Sequence, residues 1–361
     1  MKTSRALVPL LVALSLVYWP SLWVTIFVFV DYYTPWVLFD SKLYDMYHNF
    51  LVSSLTEKPE IPLPELDASE ATFDRVYKMS NGFTFPVVIR QLLGNTTGVQ
   101  QWSNHDWWIK NYGDEELLCG TLSQVVEDCT VKGFFESLEK GNPFYISGAS
   151  VIFERHPELH DMIDNEALRA TEPGTRTATQ IFMGLPDMGS DIHAAIGINV
   201  FRMIAGQKKW WFIPPDQTCY LKPSINVNGF SAHTQTLVGK QGAKPSPWLS
   251  KLTRYTSTLN PGDVLINPPW YWHGILNLGK KEGGDLVIGS PVRYKGGSGS
   301  RAAFSSNLLY TLNSFFVLWY NYGNAALRPD FKVNLQHDIA NNRRVRENKK
   351  VVEAHPFEMA D

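Results

Sequence analysis

The sequence predicts a mainly β fold, a sandwich or barrel with helices at its flanks. The first observation is a set of short β-rich runs separated by Gly, Pro and Asn residues. They are PVVIR (86–90), PFYISG (143–148), INVFRMI (198–204), KWWFIPP (209–215), DVLIN (263–267) and DLVIGSPVRY (285–294). Many short strands with turn residues between them are typical of a sandwich or barrel rather than a doubly wound sheet. The second observation is a hydrophobic content of 44% over 361 residues, which is enough to build a substantial core.

The charge balance excludes one class of partner. The formal net charge is −2, so the chain has no general electrostatic attraction to nucleic acid. We therefore expect no nucleic-acid partner.

Cysteine usage bears on the compartment. Cys119, Cys129 and Cys219 include no CxxC pair, which argues against a structural zinc site. In an oxidising lumen Cys119 and Cys129 would be bridged, with Cys219 left free. Three buried thiols are the alternative, and the sequence does not decide between the two.

The first thirty residues predict a single membrane span. No charged residue occurs from Ala6 to Val30. At ~1.5 Å per residue, a helix of this length exceeds the ~30 Å hydrocarbon core of a bilayer. A cleaved signal peptide is the alternative, but the apolar region is long for that role and no small-x-small cleavage site follows it. We therefore expect a transmembrane signal anchor.

The flanking charges predict the orientation of this span. Lys2 and Arg5 precede it, whereas Asp31 and Asp40 follow it. The positive-inside rule then leaves the N-terminus in the cytosol and the rest of the chain in a lumen or outside the cell, with the endomembrane system as the expected location. The sequon Asn95-Thr96-Thr97 is compatible with that side.

Two histidines lie in contexts that suit a metal site. His193 lies in SDIHAAIGINVF, at the start of a β-rich run, and His273 lies in PGDVLINPPWYWHGI, at the end of another. Residues two apart on a strand share a face. An iron site can therefore take His-x-Asp from one strand and a distant His from another, and this 2-His-1-carboxylate set leaves positions open for a co-substrate and dioxygen.

Longer blocks around these histidines resemble a known family. IHAAIGINVFRMIAGQKKWWFIPP and PGDVLINPPWYWHGILNLG are similar to the two metal-binding blocks of JmjC-type 2-oxoglutarate oxygenases, especially the asparaginyl-hydroxylase-like cupins. The segment FPVVIRQLL, with Trp102, Trp107 and Tyr112-Gly113-Asp114, resembles the lead-in of that family. The resemblance runs from about Phe83 to Tyr294. It implies a double-stranded β-helix, the cupin jelly roll, with Fe(II) and 2-oxoglutarate as cofactors.

With this resemblance the chain divides into four parts. They are a cytosolic N-terminus with the transmembrane anchor (1–30), a juxtamembrane helix and Pro-rich linker (31–66), a JmjC-like cupin domain (67–295) and a helical C-terminal extension (296–361). The extension contains SNLLYTLNSFFVLWYNYG, an apolar segment interrupted by asparagines. This pattern predicts a helix packed against the barrel or a partner rather than a second span, and a homodimer through the helix is one such arrangement.

The resemblance implies a role for five residues. His193 and His273 match the two metal-ligand histidines. Lys208 matches the lysine that pairs with the distal carboxylate of 2-oxoglutarate, Ser190 the hydroxyl that assists it, and Asn199 an asparagine of the same pocket.

Hairpin geometry supports Lys208 from the residues alone. If Gly206-Gln207 forms a two-residue turn, Ala205 pairs with Lys208. Ala205 has the same strand parity as His193, so Lys208 would point into the barrel and Lys209 outward.

The chain departs from the family at Ala195, two residues after His193, where the family has an acid. Three outcomes follow. Asp191, two residues before His193, would supply a carboxylate from the same strand face. A halide would fill the vacated position, as in non-haem iron halogenases, which carry a small residue there. Otherwise the fold would be kept as a binding module with a weak or absent iron site.

Two functions therefore stay open. The chain is either a membrane-tethered Fe(II)/2-oxoglutarate-dependent oxygenase with an unknown substrate, a protein side chain among the candidates, or a catalytically degenerate cupin-fold binding or scaffold protein. The polar insertion at 224–240 would lie at the barrel mouth, where long loops often carry substrate contacts. Asn228 and His233 are therefore candidate substrate contacts.

Overall fold

The fold is mainly β, as the sequence predicts, and it is consistent with the expected jelly roll. The computed structural model describes residues 14–33, 42–120, 125–140, 144–226, 229–239, 244–279, 285–295 and 297–319. Two mixed sheets face each other, and helices pack on the outer face of each sheet.

Short strands alternate with helices along the described ranges. The strands are β1 Glu60–Pro62, β2 Glu65–Asp67, β3 Val87–Arg90, β4 Glu116–Gly120, β5 Val125–Thr130, β6 Tyr145–Ala149, β7 Thr175–Thr179, β8 Ile181–Gly184, β9 Gly189–Ala195, β10 Ile198–Ala205, β11 Gln207–Ile213, β12 Pro223–Ile225, β13 Ser231–Thr234, β14 Arg254–Leu259, β15 Val264–Asn267, β16 Trp272–Leu278 and β17 Val287–Lys295. The helices are α1 Pro20–Tyr33, α2 Lys42–Ser53, α3 Phe73–Met79, α4 Thr97–Gln101, α5 His105–Tyr112, α6 Val131–Glu139, α7 Val151–Arg155, α8 Glu158–Met162, α9 Glu166–Arg169, α10 Gly297–Ser306 and α11 Leu308–Leu318.

The strands form a seven-stranded and a ten-stranded sheet. The first sheet has the order β1-β14-β11-β16-β9-β13-β12, and the second has the order β2-β3-β15-β10-β17-β8-β6-β4-β5, with β7 also pairing with β17. The central pairs are antiparallel, whereas the edge strands β1 and β2 pair in parallel with β14 and β3. The space between the two sheets therefore forms the interior of the barrel.

Aromatic side chains fill one end of this interior. Phe201 from the second sheet contacts Trp210 from the first, with ring centroids 4.8 Å apart, and Phe212 stacks beside Trp210. These side chains belong to one buried cluster. Full burial of each such side chain contributes about 1.5–3 kcal/mol, so the cluster holds the two sheets together next to the polar residues described below.

The predicted Pro-rich linker is paired to the barrel. The juxtamembrane stretch forms α2 where a helix is expected, but the following residues form the edge strands β1 and β2. Ile61 pairs with Tyr255, and Leu66 pairs with Ile89 and is buried. Proline is tolerated on edge strands because it removes only an outward-facing donor, which is why a Pro-rich segment can join the sheets here.

The N-terminal apolar segment packs against the first sheet. Residues 14–18 are helical and α1 begins at Pro20. Pro20 has no N–H to donate to the carbonyl oxygen of Leu16, and the Tyr47 hydroxyl donates to that oxygen instead at 2.8 Å. Val24 and Val28 are buried in the cluster that covers the outer face of this sheet.

Within the described part of the chain, none of the helices is both long and apolar enough to cross a membrane. The transmembrane helix predicted for residues 6–30 is not found there, and residues 6–13 of that prediction lie outside the described ranges.

The C-terminal extension begins as two helices, α10 and α11, while residues 320–361 lie outside the described ranges. Trp270 donates from Nε1 to Thr311 Oγ1 at 2.8 Å, which ties α11 to the barrel. On the opposite sheet a disulfide joins Cys119 of β4 to Cys129 of β5, with their Cα atoms 5.8 Å apart, and Cys219 is a buried thiol. The bridged alternative is therefore the one that the structure contains.

Candidate ligand-binding site

Three histidines form one row across the inner face of the first sheet. His193 on β9 pairs directly with His233 on β13 and with His273 on β16. Directly paired residues of antiparallel strands project from the same face. The ring centroids of His193 and His273 are 4.2 Å apart, and those of His193 and His233 are 5.8 Å apart. All three imidazoles are buried.

Backbone carbonyls orient two of these imidazoles. His193 Nδ1 lies 2.8 Å from the carbonyl oxygen of Asp191, and His273 Nδ1 lies 2.9 Å from that of Tyr271. A ring nitrogen beside a carbonyl oxygen carries the proton and donates, which leaves Nε2 with its lone pair. Each Nε2 is therefore the atom suited to bind a metal or accept a hydrogen bond.

A β-bulge in β9 changes which residues accompany His193. His273 pairs with His193, but Ile275, two residues further along β16, pairs with Ser190, three residues back along β9. The extra residue on β9 shifts the alternation. Ser190 therefore lines the same cavity as His193, although their spacing of three would place them on opposite faces of a regular strand.

The same bulge removes Asp191 from the site. Its carboxylate accepts a hydrogen bond from the backbone N–H of Val238 at 3.4 Å, and Asp191 does not line the cavity. The prediction that Asp191 shares the face of His193 is therefore wrong, because it assumed an unbroken alternation along β9.

On the neighbouring strand β13, the residue paired with Ala195 is not an acid that could replace the missing carboxylate. That residue is Ser231, whose Oγ accepts a hydrogen bond from Asn226 Nδ2 at 2.6 Å. Over the described ranges, no group of three or more His, Cys, Asp or Glu side chains is arranged to hold a metal ion. The two imidazoles of His193 and His273 thus lack a third ligand of these types.

Lys208 points into the barrel, and its neighbour points out. Lys208 is 1% exposed and donates from Nζ to Asn277 Oδ1 at 2.6 Å, while Lys209 forms an ion pair with Glu60. Burial lowers the pKa of Lys208 to about 7, because the ammonium loses hydration.

The predicted two-residue hairpin, in which Ala205 pairs with Lys208, is wrong, because the turn at Gly206 carries the chain from β10 in the second sheet to β11 in the first, where Lys208 pairs with Leu259 and Asn277. The inward position of Lys208 that this prediction gave is nevertheless found.

Two further predicted residues carry buried polar atoms in the same cavity. Within the described chain, Ser190 Oγ and Asn199 Oδ1 have no hydrogen-bond partner. Both residues line the cavity together with His193, His273 and Lys208. An unpaired buried polar group costs about 1–3 kcal/mol, so these atoms indicate a space that a polar ligand or water would fill.

Of the two candidate substrate contacts, only His233 lies within the described residues. His233 does not line the cavity, and its Nε2 lies 2.7 Å from Asn226 Nδ2, so the ring accepts a hydrogen bond from that amide. Asn228 lies outside the described residues.

Arg293 is a charged residue of the cavity that was not predicted from the sequence. It lies on β17, pairs with Asn199 and lines the cavity with Pro291, two residues before it. The alternation along β17 could have indicated this position. Ile288 and Val292 belong to the outer hydrophobic cluster, so the odd-numbered residues of this part of the strand, including Arg293, face inward. Without the register to Asn199, that parity alone did not identify the site.

In this jelly roll, two histidines on paired strands and a buried lysine line the same cavity. This combination is typical of a cupin of JmjC type. The comparison with protein families agrees: the family described as Cupin-like domain matches residues 80–288, more than half of the 361-residue chain. The chain belongs to this family.

Curated relatives match over a shorter stretch. HSPB1-associated protein 1 from Rattus norvegicus is 32% identical over 83 residues, which is 23% of this chain and 17% of that protein. Its Danio rerio homolog is 35% identical over 78 residues, 21% of this chain and 17% of that protein. The Homo sapiens protein is 33% identical over 83 residues, with coverages of 23% and 17%. The chain thus matches about a sixth of each relative's length.

Proposed function

We propose that this chain is a 2-oxoglutarate-binding cupin protein, related to Fe(II)/2-oxoglutarate-dependent hydroxylases of the asparaginyl-hydroxylase type, in which the iron site is weakened. The observation that carries the proposal is the buried Lys208 in the same cavity as His193 and His273. A cation at one end and two imidazoles at the other suit a ligand with a carboxylate at each end.

The polar groups of the cavity fit 2-oxoglutarate. Lys208 is a buried cation whose hydrogen bond goes to the neutral Asn277, and a buried charge needs an opposite charge to offset its desolvation. A carboxylate would accept hydrogen bonds from Lys208 and from the Ser190 hydroxyl, which has no partner in the described residues. These two side chains would hold the distal carboxylate, while Asn199 lies towards the histidine end of the cavity.

The residues present do not fit a tightly held iron. Ala195 supplies no ligand, and the carboxylate of Asp191 is bonded elsewhere. Two neutral imidazoles bind a divalent ion less well than two imidazoles with a carboxylate, because both charge and the number of ligands fall. Lys208 and Arg293 add positive charge around the same cavity.

Anaerobic titration of the full-length protein with Fe(II) in the presence of 2-oxoglutarate tests this proposal. We expect weak iron binding, strengthened roughly tenfold or more by Ala195→Asp, since a carboxylate returns charge and a ligand. Ala195→Asn is the matched control, because it has the same shape without the charge. Iron binding by the unmodified protein as tight as that of Ala195→Asp would contradict the weakened site.

A retained hydroxylase is the second candidate, favoured by the 4.2 Å separation of the His193 and His273 rings. These two residues would hold the metal, which together with 2-oxoglutarate supplies the oxidising chemistry. This function predicts iron-dependent succinate release that His273→Ala abolishes and Lys208→Ala reduces. Equal succinate release from wild type and His273→Ala would exclude it.

We also propose that the protein is held at a membrane, with the cupin domain on the lumenal or extracellular side. The uncharged stretch from Ala6 to Val30 and the basic residues before it support this location. The disulfide between Cys119 and Cys129 supports an oxidising compartment. Asn95 of the sequon is exposed, as a glycosylation site must be.

A further inference from the structure

We propose that the cavity binds dicarboxylates without a metal ion, with Lys208 holding one carboxylate and Arg293 the other. The inference rests on the proposed ligand pocket and adds to it a second anchoring residue and independence from iron. Three features of the described residues carry it: the positions of the two cations, the charge of the cavity lining and the geometry of the guanidinium.

The strand register places Arg293 at the level of the histidines. Arg293 pairs with Asn199, and Asn199 pairs on its other side with Asn267. Arg293, Asn199 and Asn267 thus form one row across the second sheet. Asn267 Nδ2 lies 3.2 Å from His273 Nε2, so this row contacts the row of histidines on the first sheet. Arg293 therefore lines the end of the cavity where the family places its metal.

Lys208 approaches the cavity from the other end. It pairs with Asn277, four residues along β16 from His273. At ~3.3 Å per residue this is roughly 13 Å along the strand. Both Lys208 and Arg293 have long side chains and both line the cavity. A ligand between them would meet a cation at each end.

The charge of the cavity lining favours a dianion over a metal ion. Among the described residues, the lining includes Lys208, Arg293, His193 and His273 but no aspartate or glutamate. Where the family has an acid, this chain has Ala195. Placing a divalent cation beside Arg293 would add repulsion in a poorly hydrated space, whereas an anion offsets the desolvation of Lys208.

The guanidinium of Arg293 specifies the class of ligand. Its planar fork donates two parallel hydrogen bonds to one carboxylate, and such charge-assisted pairs are stronger than neutral hydrogen bonds. A short unbranched dicarboxylate, such as 2-oxoglutarate or glutarate, can engage both Lys208 and Arg293. A monocarboxylate can engage only one of them, so the cavity should discriminate between the two classes.

Calorimetric titration of the full-length protein in detergent and excess EDTA tests the inference, with 2-oxoglutarate, glutarate and butyrate as probes. We expect both dicarboxylates to bind without metal, and butyrate to bind roughly tenfold more weakly or worse. Arg293→Gln should reduce dicarboxylate affinity by a similar factor and leave butyrate affinity unchanged. Lys208→Met should weaken all three.

Matched controls lie next to each residue. Lys209→Met changes the outward lysine beside Lys208, and Lys295→Gln changes an exposed cation on the strand of Arg293. Neither should alter binding, and thermal unfolding of each variant checks that it is folded. Arg293 is only half-buried, so we expect Arg293→Gln to fold.

The outcomes separate the inference from the function it rests on. Binding of 2-oxoglutarate only after addition of Fe(II) or Mn(II) would overturn the inference while leaving the proposed pocket in place. Unchanged affinity in Arg293→Gln would also overturn it. Absence of binding with and without metal would refute both the inference and the proposed 2-oxoglutarate site.

Discussion

Lys208 is an ionisable side chain buried in the core, and burying its charge lowers the stability of the unliganded protein. The side chain is 1% exposed, and its hydrogen bond goes to the neutral side-chain oxygen of Asn277. Because burial removes hydration from the ammonium, the pKa of Lys208 falls to about 7 from an ordinary 10.5. A charged core lysine in this environment destabilises the unliganded protein, and the proposed carboxylate ligand would offset that cost.

We predict that Lys208→Met raises the free energy of unfolding of the unliganded protein. The pKa of Lys208 in the folded protein, about 7, lies below the ordinary 10.5, so the unfolded chain binds the proton more tightly. The loss of stability caused by burying the charged ammonium is therefore complete below the folded pKa. It fades as the pH rises towards the unfolded value. The gain should therefore be on the order of 2 kcal/mol at about pH 6, after allowance for the unpaired Asn277, and should disappear near pH 10.

Denaturant unfolding of wild type and Lys208→Met across that pH range measures this gain. His193, His273 and Arg293 line the same cavity and are present in both proteins, so the comparison isolates the effect of removing Lys208. Lys209→Met serves as the reference with no such profile. A gain that does not vary with pH would show that Lys208 is not a desolvated cation.

Individual site residues differ in how far the sequence could predict them. Lys208 was predicted from the family resemblance and from a two-residue hairpin that the structure does not contain, since β10 and β11 lie in different sheets. The role of Arg293 depends on its pairing with Asn199, across about ninety positions of sequence. Such a contact leaves no local pattern, so sequence reasoning found the lysine and missed the arginine.

At the scale of an element, strand β9 decides the composition of the site. Its bulge brings Ser190 to the cavity and turns Asp191 away. The bulge is produced by pairing with β16, and alternation along β9 alone predicts the opposite faces. For this reason the sequence assigned Asp191 wrongly and Ser190 only through its family resemblance.

We predict that Gly189→Ala damages this strand, whereas Gly197→Ala does not. A Cβ at Gly189 would stand 2.0 Å from the carbonyl oxygen of Ile275, a backbone atom that cannot move aside. A Cβ at Gly197, just beyond the other end of β9, would meet only the Tyr294 carbonyl oxygen at 3.8 Å. Gly189→Ala should therefore lower the unfolding free energy by about 2–3 kcal/mol.

Chemical denaturation of the two glycine variants provides the measurement, and binding of 2-oxoglutarate provides a second readout. Because Ser190 follows Gly189, the binding affinity should fall along with the stability. Equal unfolding free energies for Gly189→Ala and Gly197→Ala would mean that the close approach of β9 to β16 is not required.

Regular elements were the easiest to predict. The runs at 86–90 and 263–267 became β3 and β15, and the helix expected before the Pro-rich stretch is α2. The edge strands β1 and β2 were not predicted, because each is three residues long and pairs in parallel with a strand distant in sequence. Short edge strands carry little pattern of their own.

At the scale of the whole molecule, α1 and α11 form one apolar surface. Phe29 of α1 packs against Tyr310 of α11, and Tyr33 packs against Phe316. One side of α11 is buried against the barrel, as the sequence predicts for a helix that packs there. The other side exposes Leu308, Leu309, Leu312, Phe315 and Phe316. Leu22 and Ile26 of α1 are exposed as well.

This shared surface suits a lipid bilayer. Neither α11 nor the described residues of α1 before Asp31 contain a charge, and Trp19 and Trp319 are exposed. Tryptophan is enriched where a membrane meets water. Residues 6–13, which precede this segment in the sequence, carry no charge either. We therefore expect α11 to lie against the bilayer that we propose for the N-terminal segment, with a homodimer through α11 as the competing arrangement.

A polarity-sensitive fluorophore attached at Leu312→Cys in the full-length protein distinguishes these arrangements. In lipid nanodiscs that hold one copy each, we expect its emission to shift to the blue relative to the same label at Phe73→Cys, a partly exposed aromatic position on α3. Lipid contact lowers the polarity around Leu312 without a second copy, because burial of apolar surface needs only hydrocarbon. A blue shift found only in discs that hold two copies would instead assign the α11 surface to a dimer.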